Sequence, residues 1–399
     1  MTPKNAPLKG VRVLDFTIHA AGPFCTHLLS QLGAECIKIE SKTRPDAFRK
    51  PHAVYGRMQA ATFDQVSANK LSVRLNLKRP EAVSIAKRLV AISDVAAESF
   101  RPGVMTRLGL AFGELRKVKS DILLVSISSS GQSGPDSHFA GYAPLFGAWG
   151  GLGWMSGYAD GPPMEMRHVM DHSAGMHAAL ATLAGLHQRR LTGTAQHIDL
   201  AAREVASAMI GDALVLAGFG QAPVRPGNGD SLMTPHGVYP TNQPDRWLTI
   251  AVRNDTEWQC LLRVLGQREM HAGFATAASR RLHKEEIDRM LECWLANRDA
   301  DETARTLQAA GVCAHVSWNM EDISADPHLR ERGCVTQVSA SGIPPRAAVG
   351  APVRFSRTGE IGIHSLTPAL GQDEDYVFGE LLGLGAAQRA DLESREVIH

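Results

Sequence analysis

Asp171 stands in the run Arg167-His168-Val169-Met170-Asp171-His172-Ser173-Ala174-Gly175, immediately before a strong helical pattern. An aspartate so placed ordinarily caps the helix, accepting backbone N–H bonds and stabilising it by about 1 kcal/mol. The same position suits a second task. The helix dipole and the free N–H groups keep a carboxylate ionised, and an ionised carboxylate is what a covalent nucleophile requires. No other constellation offers comparable chemistry. Ser130-Gly131-Gln132-Ser133-Gly134 does not fit a G-x-S-x-G elbow. His168, His172, His177 and His187 form no H-E-x-x-H pair, read as decoration of helix faces, and predict no metal. Cys25, Cys36, Cys260, Cys293, Cys313 and Cys334 are scattered singly without C-x-x-C spacing, which predicts reduced thiols rather than disulfides or zinc ligands.

The elements that must hold Asp171 follow from periodicity. Gly10 to Phe16 reads as a buried strand, and Gly22 to Leu32 has helical spacing that ends at Gly33. Glu35 to Glu40 is a second strand, followed by a helix from Pro80 to Ala91 with proline in a permitted first-turn position. Next come a strand near Val95 to Phe100, a short helical stretch around Thr106 to Val118, and the strand Asp121 to Ser128. The last has the continuous apolar character of a parallel strand covered on both faces. This alternation predicts an α/β fold built on an open, doubly wound, Rossmann-like sheet. A Gly-rich connection, Ser129 to Pro163, interrupts it and is too long to be idle in a compact domain. Helical periodicity returns at His172 to Arg189 and at Ala201 to Ala217. Pro223 to Pro235 reads as a linker or mobile loop, and a smaller α/β unit runs from about His236 to Asp326. Arg346 to Phe355 and a helical Asp373 to Leu382 return to the first domain. The predicted organisation is a large domain of residues 1–220 plus 330–399, a connection 221–235, and a small domain 236–329.

Bulk properties bound the function. A chain of 399 residues is too long for one compact core. The content, 44% hydrophobic and 21% charged, is that of an ordinary globular protein. A formal charge of +1 from 42 basic and 41 acidic residues argues against nucleic-acid or membrane partners. The polar start, Met1 to Lys9, and the lack of any stretch near ~20 apolar residues predict a cytoplasmic protein. The turn Thr17-Ile18-His19-Ala20-Ala21-Gly22 has one glycine, not G-x-G-x-x-G, which argues against NAD or FAD. A helix N-terminus there can still receive a phosphate.

Several runs together resemble the family III CoA-transferases. They are Leu8 to Phe16, Ala21-Gly22-Pro23, Leu32 to Glu40, Asn69-Lys70 with Ser72, and Glu98-Ser99-Phe100-Arg101-Pro102-Gly103 with Arg107-Leu108-Gly109. Ser126 to Pro135, Asp171 with Gly175, Arg189 to Asp199, Pro235 to Pro240 and Gly311-Val312 continue the match in collinear order. That family includes formyl-CoA, carnitine and bile-acid CoA-transferases and also 2-methylacyl-CoA racemases.

The resemblance implies a large Rossmann-like domain, a small domain, and two chains interlocked as a homodimer. It implies coenzyme A and acyl-CoA as substrates with a carboxylic acid acceptor, and no prosthetic group. Asp171 matches the carboxylate that attacks the thioester, giving an aspartyl-acyl anhydride and then an aspartyl-CoA thioester. The Gly-rich connection could supply N–H donors for the tetrahedral intermediates. For CoA, the matching positions are His19, Ala20, Lys42, Lys70, Ser99, Phe100, Arg107 and Leu108, with the three basic residues as phosphate partners. Tyr142, Gly227 and Gly229 match the substrate and oxyanion region, and the segment Gly227 to Asp230 lies near a mobile lid of formyl-CoA transferases. Two departures bear on specificity. The racemases carry a His and an Asp at the positions of Tyr142 and Ala143 and a Glu near Asn254. Formyl-CoA transferases carry a Gln and a Glu at Ala20 and Ala143. The segments from Gly141 to Leu145 and from Gly157 to Pro163 look closer to members that use succinyl-CoA with larger or dicarboxylic acceptors. The expected activity is CoA transfer from a donor such as succinyl-CoA to an organic acid. An acyl-CoA racemase, or a silent CoA-binding subunit, stands as the alternative.

Overall fold

The computed structural model describes residues 5–49, 61–221, 223–267, 272–340, 343–358 and 361–399; of the start Met1 to Lys9, residues 1–4 lie outside these. The chain divides into two compact units. The first comprises Met1–Gly153, Glu165–Gly218 and Asp326–His399, the second Trp154–Met164 and Phe219–Ala325.

Six short parallel strands form the sheet of the first unit: β1 (Arg12–Asp15), β2 (Glu35–Glu40), β3 (Leu71–Arg74), β4 (Val95–Glu98), β5 (Leu123–Ser128) and β6 (Gln196–Ala201), in the order β3-β2-β1-β4-β5-β6. Successive side chains point to opposite faces of a strand, so apolar residues in unbroken runs fill two layers. Leu14, Ile37, Val73, Ala96 and Leu124 pack on one face with Val377, Phe378, Val397 and Ile398. Val13, Cys36, Val95, Leu123 and Val125 pack on the other with Cys25, Leu29 and Ala178. The predicted α/β sheet is therefore present, and the predicted strands and the Pro80 helix fall within two or three residues of their places.

The helices that matter for the site are α1 (Ala21–Gln31), α2 (Pro80–Ala91), α3 (Ala143–Gly150), α4 (Arg167–Thr192) and α5 (Ala202–Met209). Three expectations are corrected here. First, α4 starts at Arg167 with Met166 as its N-cap, so Asp171 is its fifth residue and does not cap it. The proline pair Pro162-Pro163 is the real breaker, and Arg167 and His168 merely lack the apolar periodicity that the sequence reading followed. Second, the Gly-rich connection contains α3 and the short helix Leu152–Met155. Its glycines serve packing: a Cβ on Gly150 would stand 2.3 Å from the Ala206 Cβ, so α3 lies on α5 only because residue 150 has none. Third, the helical stretch from Ala201 is broken at Ile210 into α5 and Gly211–Gly218.

The second unit has a three-stranded antiparallel sheet, β7 (His236–Pro240), β8 (Trp247–Ala251) and β9 (Cys313–Val316), in sequence order. Its core gathers Leu248, Ile250, Trp258, Leu261, Ile287 and Leu291. Residues 154–164 and 221–235, expected in the large domain and in a free connection, belong to this unit. Tyr158 bridges Pro226, and the Arg225 guanidinium donates to the Tyr158 carbonyl at 2.9 Å. No helix among the described residues is long and apolar enough to cross a membrane.

Candidate active site

In the observed strand order, β1 has β2 on one side and β4 on the other. Chains leaving β1 and β4 therefore diverge, and a crevice opens beyond their carboxyl ends, where open α/β sheets bind ligands. A cavity of about 490 Å³ lies there in the first unit. Its walls are the turns after β1, β2, β4 and β5, the segment Phe139 to Tyr142, and Asp171.

The turn after β1 is fixed from beneath. Buried Asp15 accepts the Thr17 N–H at 2.8 Å, the Thr17 hydroxyl at 2.5 Å and the Thr26 hydroxyl at 2.7 Å. Burial pushes the Asp15 carboxyl up, but the Lys70 and Lys38 ammoniums and these hydrogen bonds outweigh it and hold the group at about 2. The lone glycine of this turn has a steric reason: a Cβ on Gly22 would stand 2.5 Å from the Thr17 Cβ and 3.0 Å from that of Ser99. Ser99 stitches the turn after β4 to it, its hydroxyl accepting the Ile18 N–H at 2.9 Å and donating to the Ile18 carbonyl at 3.1 Å. Just before Ser99, the buried Glu98 carboxylate accepts the Phe100 N–H at 2.7 Å, and burial raises that carboxyl to about 7.

The next layer is aromatic and basic. His19 sits in the left-handed region, at φ 68°, and its ring meets Phe48 and Tyr142 edge-on with centroids at 6.2 and 5.9 Å. Arg44, Arg101 and Arg107 border the cavity, and no side-chain ion pair occupies them among the described residues. Ala20, Ala21 and Gly22 bring the N-terminus of α1 to the wall, where first-turn N–H groups have no partner within the helix. Asp171 faces this space half-buried, on a helix locked to α1 by Phe24 against the His172 ring at 4.4 Å. A carboxylate on the wall of a cavity also lined by a helix N-terminus and three guanidiniums can attack an acyl carbon of a ligand whose phosphates those groups hold.

Of the residues expected from sequence, His19, Ala20, Ser99, Phe100, Arg107, Tyr142 and Asp171 meet at this one cavity. Lys70 does not. Its ammonium is wholly buried, 2.9 Å from Asp15 and donating to the Pro23 carbonyl at 2.9 Å and the Thr26 hydroxyl at 2.7 Å, so it neutralises Asp15 and cannot reach a phosphate. Lys42 is exposed, 3.8 Å from Glu393, and does not line the cavity. Nor does Leu108, which packs toward the main core. Gly227 and Gly229 belong to the second unit, where Gly227 lies under the Tyr158 ring and its N–H donates to the Gly157 carbonyl at 2.8 Å. Asn254 caps the helix Asp255–Leu265 through the Glu257 N–H at 2.9 Å. The sequence reading missed Arg44, Phe48 and Arg101. They lie in the turns after β2 and β4, and only the strand order shows that those turns converge on the crevice.

His177 bonds the Ser173 carbonyl of its own helix at 2.8 Å, while the side chain of His168 lies outside what is described. No group of His, Cys, Asp or Glu among the described residues is arranged to hold a metal ion.

The family model for CoA-transferase family III matches residues 8–374. A succinyl-CoA–D-citramalate CoA-transferase of Chloroflexus aurantiacus is 32% identical over 398 residues, covering 98% of either chain. A mouse (Mus musculus) succinyl-CoA:glutarate CoA-transferase is 30% identical over 381 residues, covering 94% of this chain and 86% of its own. The solved structure of a CAIB/BAIF family protein from Brucella suis superposes with a TM-score of 0.86 at 27% identity, covering 95% of this chain and all of the other.

Proposed function

The chain belongs to CoA-transferase family III and is an enzyme that transfers coenzyme A, and we propose that it moves CoA from succinyl-CoA to a second organic acid through a covalent intermediate on Asp171. The observation that carries the mechanism is the position of Asp171 on the wall of the switch-point cavity, which the N-terminus of α1 and the side chains of Arg44, Arg101 and Arg107 also line. The carboxylate attacks the thioester carbonyl and expels CoA thiolate, leaving an aspartyl-acyl anhydride. The thiolate returns to the Asp171 carbonyl, releases the donor acid and leaves an aspartyl-CoA thioester. The acceptor carboxylate attacks that thioester, and the thiolate then takes the new acyl group and frees Asp171. Each step is an acyl transfer between good leaving groups, which replaces one difficult exchange between two carboxylates.

The succinyl donor and a dicarboxylic acceptor rest on the relatives, which are named for succinyl-CoA with citramalate or glutarate. Racemisation needs an acid and a base across the α-carbon. Tyr142 replaces one of them, and the Asn254 amide is already spent on a helix cap. A homodimer is supported by Leu180, Leu191, Leu214 and Val215, large apolar side chains exposed on the single chain. Six unpaired cysteines suit a reducing, cytosolic setting.

Intact-protein mass spectrometry after incubation with succinyl-CoA, quenched with hydroxylamine or borohydride, tests the mechanism. An adduct on Asp171 that is absent from Asp171→Ala is expected. Deuterium uptake at the α-carbon without any adduct would instead mark a racemase, and CoA binding without either reaction would mark a silent subunit.

A further inference from the structure

Two fully buried ionic groups lie beneath the cavity and have no part in the chemistry above. Lys38 on β2 and Asp46 in the turn after it have no side-chain exposure, with the ammonium 3.0 Å from the Asp46 carboxylate. The Lys38 ammonium also donates to the Thr17 carbonyl at 2.7 Å. Thr17 opens the turn after β1 that carries His19. On the other side, the Asp46 carboxylate accepts the Phe48 N–H at 3.0 Å, and its own N–H donates to Glu40 at 3.0 Å. Phe48 presents its ring to that of His19 at 6.2 Å, and both rings line the cavity. One ammonium therefore ties together two turns that come from different strands and meet at the cavity.

A core has no need of a lysine here. Burying an ammonium and a carboxylate often costs more than packing apolar groups of the same size, so what this pair contributes is to be sought in the groups its hydrogen bonds hold. Two facts point to loop geometry as what is fixed. The Lys38 ammonium spends a hydrogen bond on a backbone carbonyl of one turn, and Asp46 spends one on a backbone N–H of the other. Among the described residues the pairing of β1 with β2 ends at Asp15 and Lys38, so no ladder bond joins the turn after β1 to the turn after β2.

From this arrangement we infer that Lys38 and Asp46 are positioning residues for acyl-CoA, a tie that sets His19 and Phe48 at the spacing the bound coenzyme requires. The inference rests on reading the cavity as the acyl-CoA site. Asp171 reaches the same cavity on α4, a different element, so loosening the tie acts on the affinity for the coenzyme and leaves the acyl transfer itself in place.

The test is steady-state kinetics and calorimetric CoA binding on Asp46→Asn, with Arg101→Ala and Arg107→Ala combined as the control for the cavity. Asn keeps an acceptor for the Phe48 N–H and removes the carboxylate paired with Lys38 at 3.0 Å, while Asp15 and Glu40 still act on that ammonium from farther off. Asp46→Asn is expected to raise the KM for acyl-CoA about tenfold, with kcat within about twofold and the KM for the acid acceptor unchanged. The combination Lys38→Met with Asp46→Asn, which leaves no lone charge between the two, should show the same split if Asp46→Asn alone fails to fold. Equal losses in kcat and in both KM values would assign the pair a purely structural role and overturn the inference. Unchanged CoA binding in Asp46→Asn while the arginine control loses it would also overturn the inference and leave the cavity's reading intact. Unchanged binding in both would overturn the reading of the cavity together with the tie.

Discussion

Gly175 lies directly on the backbone of Ala21: a Cβ at residue 175 would stand 2.7 Å from the Ala21 carbonyl oxygen and 3.0 Å from the Phe24 ring. Residue 175 is one turn beyond Asp171 on α4, so the closeness of this contact sets how far the carboxylate reaches over the crevice. Gly175→Ala removes a helix-interior glycine, a gain of about 1 kcal/mol, but overpacks a backbone contact at about 1–3 kcal/mol. The expected outcome is a modest loss of stability, about 1 kcal/mol, with a drop in kcat/KM of about 10²-fold as Asp171 is displaced. Urea unfolding and steady-state kinetics on the same preparation check it. A variant that lost stability but kept its kcat/KM would place the contact in folding alone.

The three arginines around the cavity predict a charge signature. Arg44→Ala, Arg101→Ala and Arg107→Ala should each raise the KM for acyl-CoA about three- to tenfold and flatten its dependence on salt. Lys42→Ala should do neither, because Lys42 stands off the cavity beside Glu393. KM measured from 20 to 300 mM salt (about twofold steps) separates the two groups. An effect of Lys42 equal to that of Arg107 would redraw the phosphate site.

Glu98 makes stability depend on pH. Its carboxyl is raised from 4.5 to about 7, first by burial, with the Ser126 and Phe100 hydrogen bonds opposing and Asp199 adding to the rise. The folded state therefore holds a proton that the unfolded chain releases above pH 4.5, and stability falls as pH climbs from there to about 7. The expected loss is on the order of 2–3 kcal/mol, which Glu98→Gln should remove. Asp15, held at about 2, and His27, lowered to about 3 chiefly by burial, contribute equally to both proteins and cancel in the difference. Denaturant unfolding of the pair between pH 5 and 8 measures it, and parallel curves would contradict the assignment.

Lys70 is expected to matter for folding rather than for CoA. Lys70→Met takes away the ion-pair partner of Asp15 and leaves only the more distant Lys38 ammonium to offset its burial, which should cost about 3 kcal/mol. Adding Asp15→Asn should recover much of that loss, since an uncharged pair needs no counter-ion. A coupling near zero between the two substitutions, read from urea denaturation, would mean that Lys70 has another role.

The sheet was legible because its strands are short apolar runs separated by helical periods, and burial on both faces leaves that pattern undisturbed. Asp171 was legible as a residue but not as a geometry. The polar pair Arg167 and His168 hid the first turn of α4, so a residue facing a cavity looked like a cap. Lys70 shows a further limit. Nothing in Ala68-Asn69-Lys70-Leu71 distinguishes a solvated lysine from one that neutralises an aspartate 55 residues earlier. The glycines of the long connection misled in the opposite direction, since Gly150 marks a close helix contact where a loop was expected. Arg44 and Arg101 became visible only when the strand order showed which loops converge.

The layer that covers one face of the parallel sheet includes Val377, Phe378, Val397 and Ile398, although all six strands are complete by Ala201. On the ribosome, that face is covered at first only in part, by α2 residues such as Ala82, Ile85 and Leu89, and its last gap waits until residue 377 has emerged. The segment Phe219–Ala325 is synthesised in the interval and can close its own core first. The sheet whose carboxyl ends border the cavity is thus begun early and sealed late, and in a slowly translated or truncated chain the part of its apolar face left open would be the surface that chaperones meet and that aggregates form from.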